Sequence, residues 1–159
     1  MGIAAVDLRR HVIRPTLIYL DRQNRCAELL LLGIAASQTS LGAELDNRRG
    51  HGLYGIPESR HQVLWDNYLA LDPDLASLVR GLASQHAFLS APHLELTVNL
   101  RYATAIAWLM IEAQALKLPS EDDPLAMARI WRNIFQPQGR LKDFVTSWNS
   151  SVAPLCFPA

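Results

Sequence analysis

The sequence predicts an all-α domain built around one buried central helix. Apolar positions recur with the period of an amphipathic helix, whereas the alternating patterns typical of strands are nearly absent. Of the 159 residues, 50% are hydrophobic and 19% are charged, which is enough apolar mass for a single core. Within the segment 93–116, residues 102–111 carry no charge and are apolar on most faces. A helix of this kind lies in the centre of a domain.

The other predicted helices begin at residues with a known capping preference. Asn24 is an N-cap candidate for a helix that runs to about Ser40. Gly42, just beyond, is the residue expected to terminate it. Three prolines, two of them preceded by aspartate, stand where a first helical residue is expected. The predicted helices are 6–22 (two short helices or one kinked at Pro15), 24–40, 57–71, 72–85, 93–116, 123–135 and 141–149.

Turn-forming residues separate these helices, most densely over 43–56, which is predicted to be a loop with only minor strand content. The pattern contains no internal repeat and no linker. Residues 1–150 are therefore expected to form one domain, and 151–159 an irregular C-terminal tail.

Composition argues against several classes of partner. Fifteen Lys and Arg balance fifteen Asp and Glu, so the basic excess usual in nucleic-acid binders is missing. No apolar segment reaches the roughly 18–20 residues of a membrane span. The two cysteines and five histidines lack metal-ligand spacing, so neither a metal nor another cofactor is expected. The N-terminus lacks a secretory signal pattern, which predicts synthesis in the cytoplasm.

The most specific pattern is a glycine-rich loop between two helices. The first helix ends in the segment 33–42, and the loop closes with Gly-Leu-Tyr-Gly-Ile over 52–56. This arrangement resembles the lysozyme-like superfamily, in particular lytic transglycosylases of phages and prophages, with their Glu-Ser and Gly-Leu-x-Gln-Ile motifs. The resemblance covers about residues 11–150 and is carried further by the segments 12–17, 65–69, 79–82 and 99–106 and by His61. It implies a lysozyme-like helical fold and a peptidoglycan-cleaving ancestry.

Three positions differ from the motifs of that family. The resemblance places Gln38 at the catalytic glutamate, Thr39 at the following serine and Gly55 at the glutamine of the second motif. A glutamine can hydrogen-bond a glycosidic oxygen but cannot protonate it. The resemblance therefore implies a phage-derived pseudoenzyme with lost or weak catalysis.

The residues implied to face a sugar are Thr39, Tyr54, Gly55 and Tyr102, although each tyrosine also fits a core position. The ligand would be a peptidoglycan glycan strand or a chitin-type oligosaccharide. Such a protein would be virion-associated or delivered to the periplasm by other means.

Two alternatives stay open at this point. One is an active peptidoglycan-degrading glycosidase or transglycosylase whose acid is another carboxylate, either Glu44 or Asp46. The other is a non-catalytic module that binds a phage or host protein through its outer surface.

Overall fold

Helices form nearly all of the regular structure in the computed structural model. It describes residues 2–47 and 49–156, with the side chains of 46, 47 and 85–87 outside that description. Over these residues the chain is all-α apart from one very short hairpin, which confirms the predicted class. In chain order the helices are α1 (Ala5–Leu8), α2 (Arg14–Tyr19), α3 (Arg25–Thr39), α4 (Glu58–Asn67), α5 (Pro73–Leu82), α6 (Gln85–Ser90), α7 (Glu95–Val98), α8 (Leu100–Glu112), α9 (Pro124–Ile134), α10 (Leu141–Ser151) and α11 (Ala153–Cys156).

Shorter elements complete the chain. A π-helical stretch, Arg9–Ile13, joins α1 to α2, and two 3₁₀ turns cover Leu69–Leu71 and Pro92–Leu94. Strand β1 (Asp46–Asn47) pairs antiparallel with β2 (Gly50–His51). The hairpin therefore lies within the segment predicted to be a loop.

The core is organised around α8, as the sequence predicts. Ten consecutive residues of this helix, 102–111, are buried. Helix α3 is buried over most of its length and packs against α10. Close packing of these two helices requires Gly33, because a Cβ there would lie 2.7 Å from the Phe144 ring.

The predicted long helix over 93–116 is wrong in its extent. Asn99 interrupts it with an extended backbone (φ −124°, ψ 97°) and begins α8 as its N-cap. The Asn99 side chain accepts a hydrogen bond from Tyr102 N at 3.0 Å and donates to Leu82 O at 2.7 Å. These contacts offset the break in the helical hydrogen-bond ladder.

Several helix ends also differ from the prediction. Helix α3 ends at Thr39 because Ser40 (φ 51°), rather than Gly42, takes the left-handed conformation first. Pro57 is the N-cap of α4 instead of its first residue. The expected irregular tail is helical as far as Cys156, since the buried Val152 anchors it to the core; residues 157–159 lie outside the described residues.

Within the described part of the chain, none of the helices combines the length and the apolar character needed to cross a bilayer.

Candidate functional site

A polar cavity of about 420 Å³ lies where the end of α3, the β1–β2 hairpin and the turn between α9 and α10 meet. We name it the Gln38 cavity. Its lining is rich in amide, hydroxyl and charged side chains, among them Gln38, Glu44, Arg49, Gln136, Gln138 and Arg140. It brings together two residues that the sequence singles out, Gln38 and Glu44.

Gln38 closes the base of this cavity and is almost fully buried, with 1% of its surface exposed. Its Nε2 donates to Tyr54 O at 3.2 Å and to Gly55 O at 3.3 Å. Its Oε1 accepts from Trp131 Nε1 at 3.2 Å. An ionised carboxylate in this place would face two carbonyl oxygens that it could only repel, whereas the amide satisfies these two contacts and the one with Trp131 together.

Gly55 is adapted to the same arrangement. Its φ of +58° is a left-handed conformation that favours glycine. A Cβ at this position would lie 2.8 Å from Gln38 Nε2. Gln38 and Gly55, two of the residues that differ from the motifs that the sequence resembles, therefore form one local arrangement, because the amide at 38 occupies the space that a side chain at 55 would need.

Thr39 fixes the end of α3 instead of facing a ligand, which corrects the expected sugar contact. Its hydroxyl donates to Leu53 O at 2.6 Å and accepts from Gly42 N at 3.0 Å. Only 1% of the residue is exposed. Both hydrogen bonds hold the turn that leads from α3 into the hairpin.

Tyr54 is a core residue in this structure, which corrects the expectation that its ring lines the groove. The side chain is fully buried and its hydroxyl lies 2.8 Å from Thr104 Oγ1 on α8. Burial raises the pKa of the Tyr54 hydroxyl well above its usual range. Only the backbone carbonyl of Tyr54 takes part in the site, through Gln38.

Tyr102 is likewise fully buried and does not meet Gln38 through any hydrogen bond among the described residues, so its expected sugar contact is also corrected. Its hydroxyl lies 2.7 Å from His61 Nε2 and accepts from Trp65 Nε1 at 3.0 Å. Burial is the main reason that the pKa of this hydroxyl is raised. The residue lies behind a different cavity, which His61 and Trp65 line.

Glu44 lies in the turn after α3, where its exposed side chain lines the Gln38 cavity. Its role as a substitute acid stays a prediction. The side chain of Asp46, the other candidate, lies outside the described residues. Nearby, the Arg49 guanidinium donates to the carbonyl oxygens of Ser37 and Gln38, which fastens the hairpin to the end of α3.

The far wall of the cavity comes from residues that sequence reasoning missed as site residues. Trp131 belongs to α9, and Arg140 pairs with Asp143 at 3.1 Å at the start of α10. Gly139 lets the chain turn against the Trp131 ring, because a Cβ there would lie 2.4 Å from it. The hydrogen bond between Trp131 and Gln38 joins residues 93 positions apart, and no local pattern signals such a contact.

Among the described residues, no three His, Cys, Asp or Glu side chains are grouped so that they could hold a metal ion.

A scan against protein-family models and searches of curated proteins and of solved structures find no match to this chain.

Proposed function

We propose that the chain is a lysozyme-like domain of the lytic transglycosylase type, derived from a phage or prophage, that binds peptidoglycan-type glycan with lost or weak cleavage. The Gln38 cavity is the proposed binding site. The ligand class is a glycan strand of peptidoglycan or a chitin-type oligosaccharide.

The architecture supports this proposal. The sequence resemblance implies a buried central helix, and α8 has this character. It also implies a second buried helix followed by a loop, which agrees with α3 and the short hairpin after it. Gln38 lies at the C-terminal end of α3, where that family carries its catalytic glutamate, and a cavity lies beside it.

The observation that carries the non-catalytic part of the proposal is the hydrogen bonding of Gln38. Its amide nitrogen donates to two backbone carbonyl oxygens and its amide oxygen accepts from an indole. Proton donation to a leaving glycosidic oxygen contributes about 10²- to 10⁴-fold to the rate. A glutamine has no proton to give, so this contribution is missing at position 38.

The chemistry of the cavity lining suits a neutral ligand with many hydroxyl groups. Its volume falls in the range of small-molecule sites. Ser40 and Gln138 are exposed at its wall, where each can both donate and accept hydrogen bonds. The buried Ser37 Oγ at the same wall has no hydrogen-bond partner among the described residues, and a ligand hydroxyl would satisfy it.

Glu44 distinguishes this proposal from an active enzyme that uses a replacement acid. A general acid for glycoside cleavage is kept protonated by an apolar, largely buried environment. The Glu44 side chain is exposed to solvent. Its position favours a polar contact at the rim of the cavity over proton donation at its base.

Titration of ¹⁵N-labelled protein with N-acetylglucosamine tetramer tests the binding site. We expect shifts of the Trp131 indole N–H and of backbone amides in 36–56 and 136–140. Gln138→Ala should weaken binding severalfold, whereas Arg129→Gln, an exposed change on α9 outside the cavity, should not. Absence of shifts in these segments at millimolar ligand would contradict glycan binding and would favour the protein-binding alternative.

A further inference from the structure

A second cavity, of about 370 Å³, lies between α4, α5, α6 and the 3₁₀ turn Pro92–Leu94. We name it the Trp65 cavity. It shares no lining residue with the Gln38 cavity. Nothing in the proposed glycan site uses it, and its lining has a different chemistry.

The floor of the Trp65 cavity is aromatic and apolar. The rings of Trp65 and Phe88 pack at 5.6 Å between centroids with a tilt of 59°. Alanine and proline side chains extend this surface, namely Ala70, Ala76 and Pro92. A surface of this kind suits a small planar apolar group, which would gain dispersion and burial.

Arg80 places a positive charge above that floor. Its guanidinium carbon lies 5.6 Å from the Trp65 ring centroid, within the range of a cation–π contact. No carboxylate of the described residues lies within ion-pair distance of it. The one carboxylate among the lining residues, Asp66, instead accepts from Gln62 Nε2 at 3.1 Å through both oxygens.

His93 adds a hydrogen-bond donor at the cavity wall. Its Nδ1 lies 2.9 Å from His61 Nδ1, so these two atoms share a single proton. Trp65 Nε1 donates to the Tyr102 oxygen, which leaves the Tyr102 hydroxyl to donate to His61 Nε2. His61 then carries its proton on Nδ1 and donates to His93, whose N–H is left on Nε2.

The surroundings of His61 disfavour its charged form. Burial, reinforced by the nearby His93 and His51, lowers the pKa of His61 to about 4. The rings of His51 and His93 stack with their centroids 6.1 Å apart. His51 Nε2 lies 3.0 Å from Glu58 Oε1. His61 is therefore neutral at pH 7 and can donate from Nδ1 to His93, which lines the cavity.

From this arrangement we propose that the Trp65 cavity binds a small aromatic carboxylate. The aromatic ring of the ligand packs on Trp65 and Phe88, and its carboxylate accepts hydrogen bonds from the Arg80 guanidinium and from His93 Nε2–H. Charge complementarity sets the ligand class, because Arg80 has no carboxylate partner of its own within the described chain. This site is independent of the proposed glycan site.

Benzoate, with benzamide as its uncharged analogue, tests this site on the intact protein. The reporter is the indole N–H resonance of Trp65, assigned from its loss in Trp65→Phe. Benzoate should shift this resonance and bind about tenfold or more tightly than benzamide, as expected for a charge-assisted hydrogen bond. Equal affinities for the two probes, or no shift of the Trp65 resonance at millimolar benzoate, would overturn the proposal.

Two variants assign the contacts to individual residues. Arg80→Gln should lower the affinity for benzoate about tenfold and leave that for benzamide unchanged. His93→Phe, which keeps a ring but loses the N–H, should weaken benzoate severalfold. Arg129→Gln removes an exposed charge elsewhere and serves as the matched control. If Arg80→Gln and Arg129→Gln weaken benzoate equally, the charge acts at long range and the proposed contact is refuted.

Discussion

The side chain of Gln38 fills the space next to the α carbon of Gly55. Its Nε2 donates to Gly55 O at 3.3 Å and lies 2.8 Å from the position that a Cβ of residue 55 would occupy. The backbone of Gly55 is left-handed. The absence of a side chain at this residue therefore permits both the backbone conformation and the close approach of Gln38. Substitutions at the two positions should therefore be coupled in their effect on stability.

The first prediction concerns Gly55→Ala, which should lower the free energy of unfolding by about 2 kcal/mol through left-handed strain and the clash with Gln38. Gly42→Ala is the matched control, since Gly42 also has a positive φ (+89°) but its Cβ would meet Leu53 at an ordinary 3.4 Å. In a Gln38→Ala background the cost of Gly55→Ala should fall toward that of Gly42→Ala. Equal costs in both backgrounds, measured by urea unfolding, would show that the contact is unimportant.

Gln38→Glu should destabilise the protein at pH 7 by about 2–3 kcal/mol, because a buried carboxylate would face two carbonyl oxygens. The environment of position 38 favours the protonated form of a glutamate side chain. The pKa of that carboxyl should therefore be higher in the folded than in the unfolded protein. As the pH falls from 7 toward 5, the free energy of unfolding of Gln38→Glu should therefore move closer to that of the wild type. Gln138→Glu, at an exposed position, is the control. A difference that does not change with pH would argue against this environment.

Asn99→Ala should cost about 2 kcal/mol, since the change removes a helix cap and the other hydrogen bonds of the Asn99 side chain. The Asn99 side chain bonds Tyr102 N, Leu82 O and, at 2.9 Å, Glu95 Oε2. Asn149→Ala, an exposed change on α10, should have little effect. Thermal unfolding of the two variants measures the difference, and similar melting temperatures would count against the capping role of Asn99.

Local sequence patterns predict helix starts well in this chain. The Asn24, Asp72 and Asp123 side chains each accept from a backbone N–H three residues on, at 3.1–3.2 Å. Asn99 does the same at 3.0 Å, but its flanking apolar residues continue a helical pattern and hide the break. Capping chemistry is local, and only competing periodicity obscures it.

The environment of a side chain is predicted less well, because it depends on contacts distant in sequence. The hydroxyls of Tyr54 and Tyr102 find their partners 50 and 41 positions away, in Thr104 and His61. Both rings are core residues although each fits a sugar-facing position by sequence. The position of Gln38 at the end of its helix could be predicted, whereas its burial beneath Trp131 could not.

Stability should fall on acidification in a way that depends on His61. The pKa of His61 is about 4 in the folded protein, below its ordinary value of 6.5, so the unfolded chain binds more protons between these pH values. The stabilisation is complete above pH 6.5 and is lost as the pH falls toward 4, by about 2–3 kcal/mol. Denaturant unfolding measures this effect in the wild type and in His61→Gln. Between pH 6.5 and pH 4 the free energy of unfolding should fall less in the variant than in the wild type.

His11→Gln provides the comparison for that measurement, because His11 is exposed. This variant should follow the wild-type pH dependence. If the free energies of unfolding of His61→Gln and the wild type fall equally between pH 6.5 and pH 4, His61 does not have the lowered pKa assigned to it.

Co-sedimentation with purified peptidoglycan sacculi, with soluble muropeptides quantified in the same samples, tests glycan binding without efficient cleavage most directly. We expect wild-type protein to pellet with the sacculi while muropeptide release stays near that of protein-free samples, because the amide of Gln38 cannot donate the proton that cleavage needs. Robust release of muropeptides by the wild-type chain, or protein that stays in the supernatant, would contradict the account.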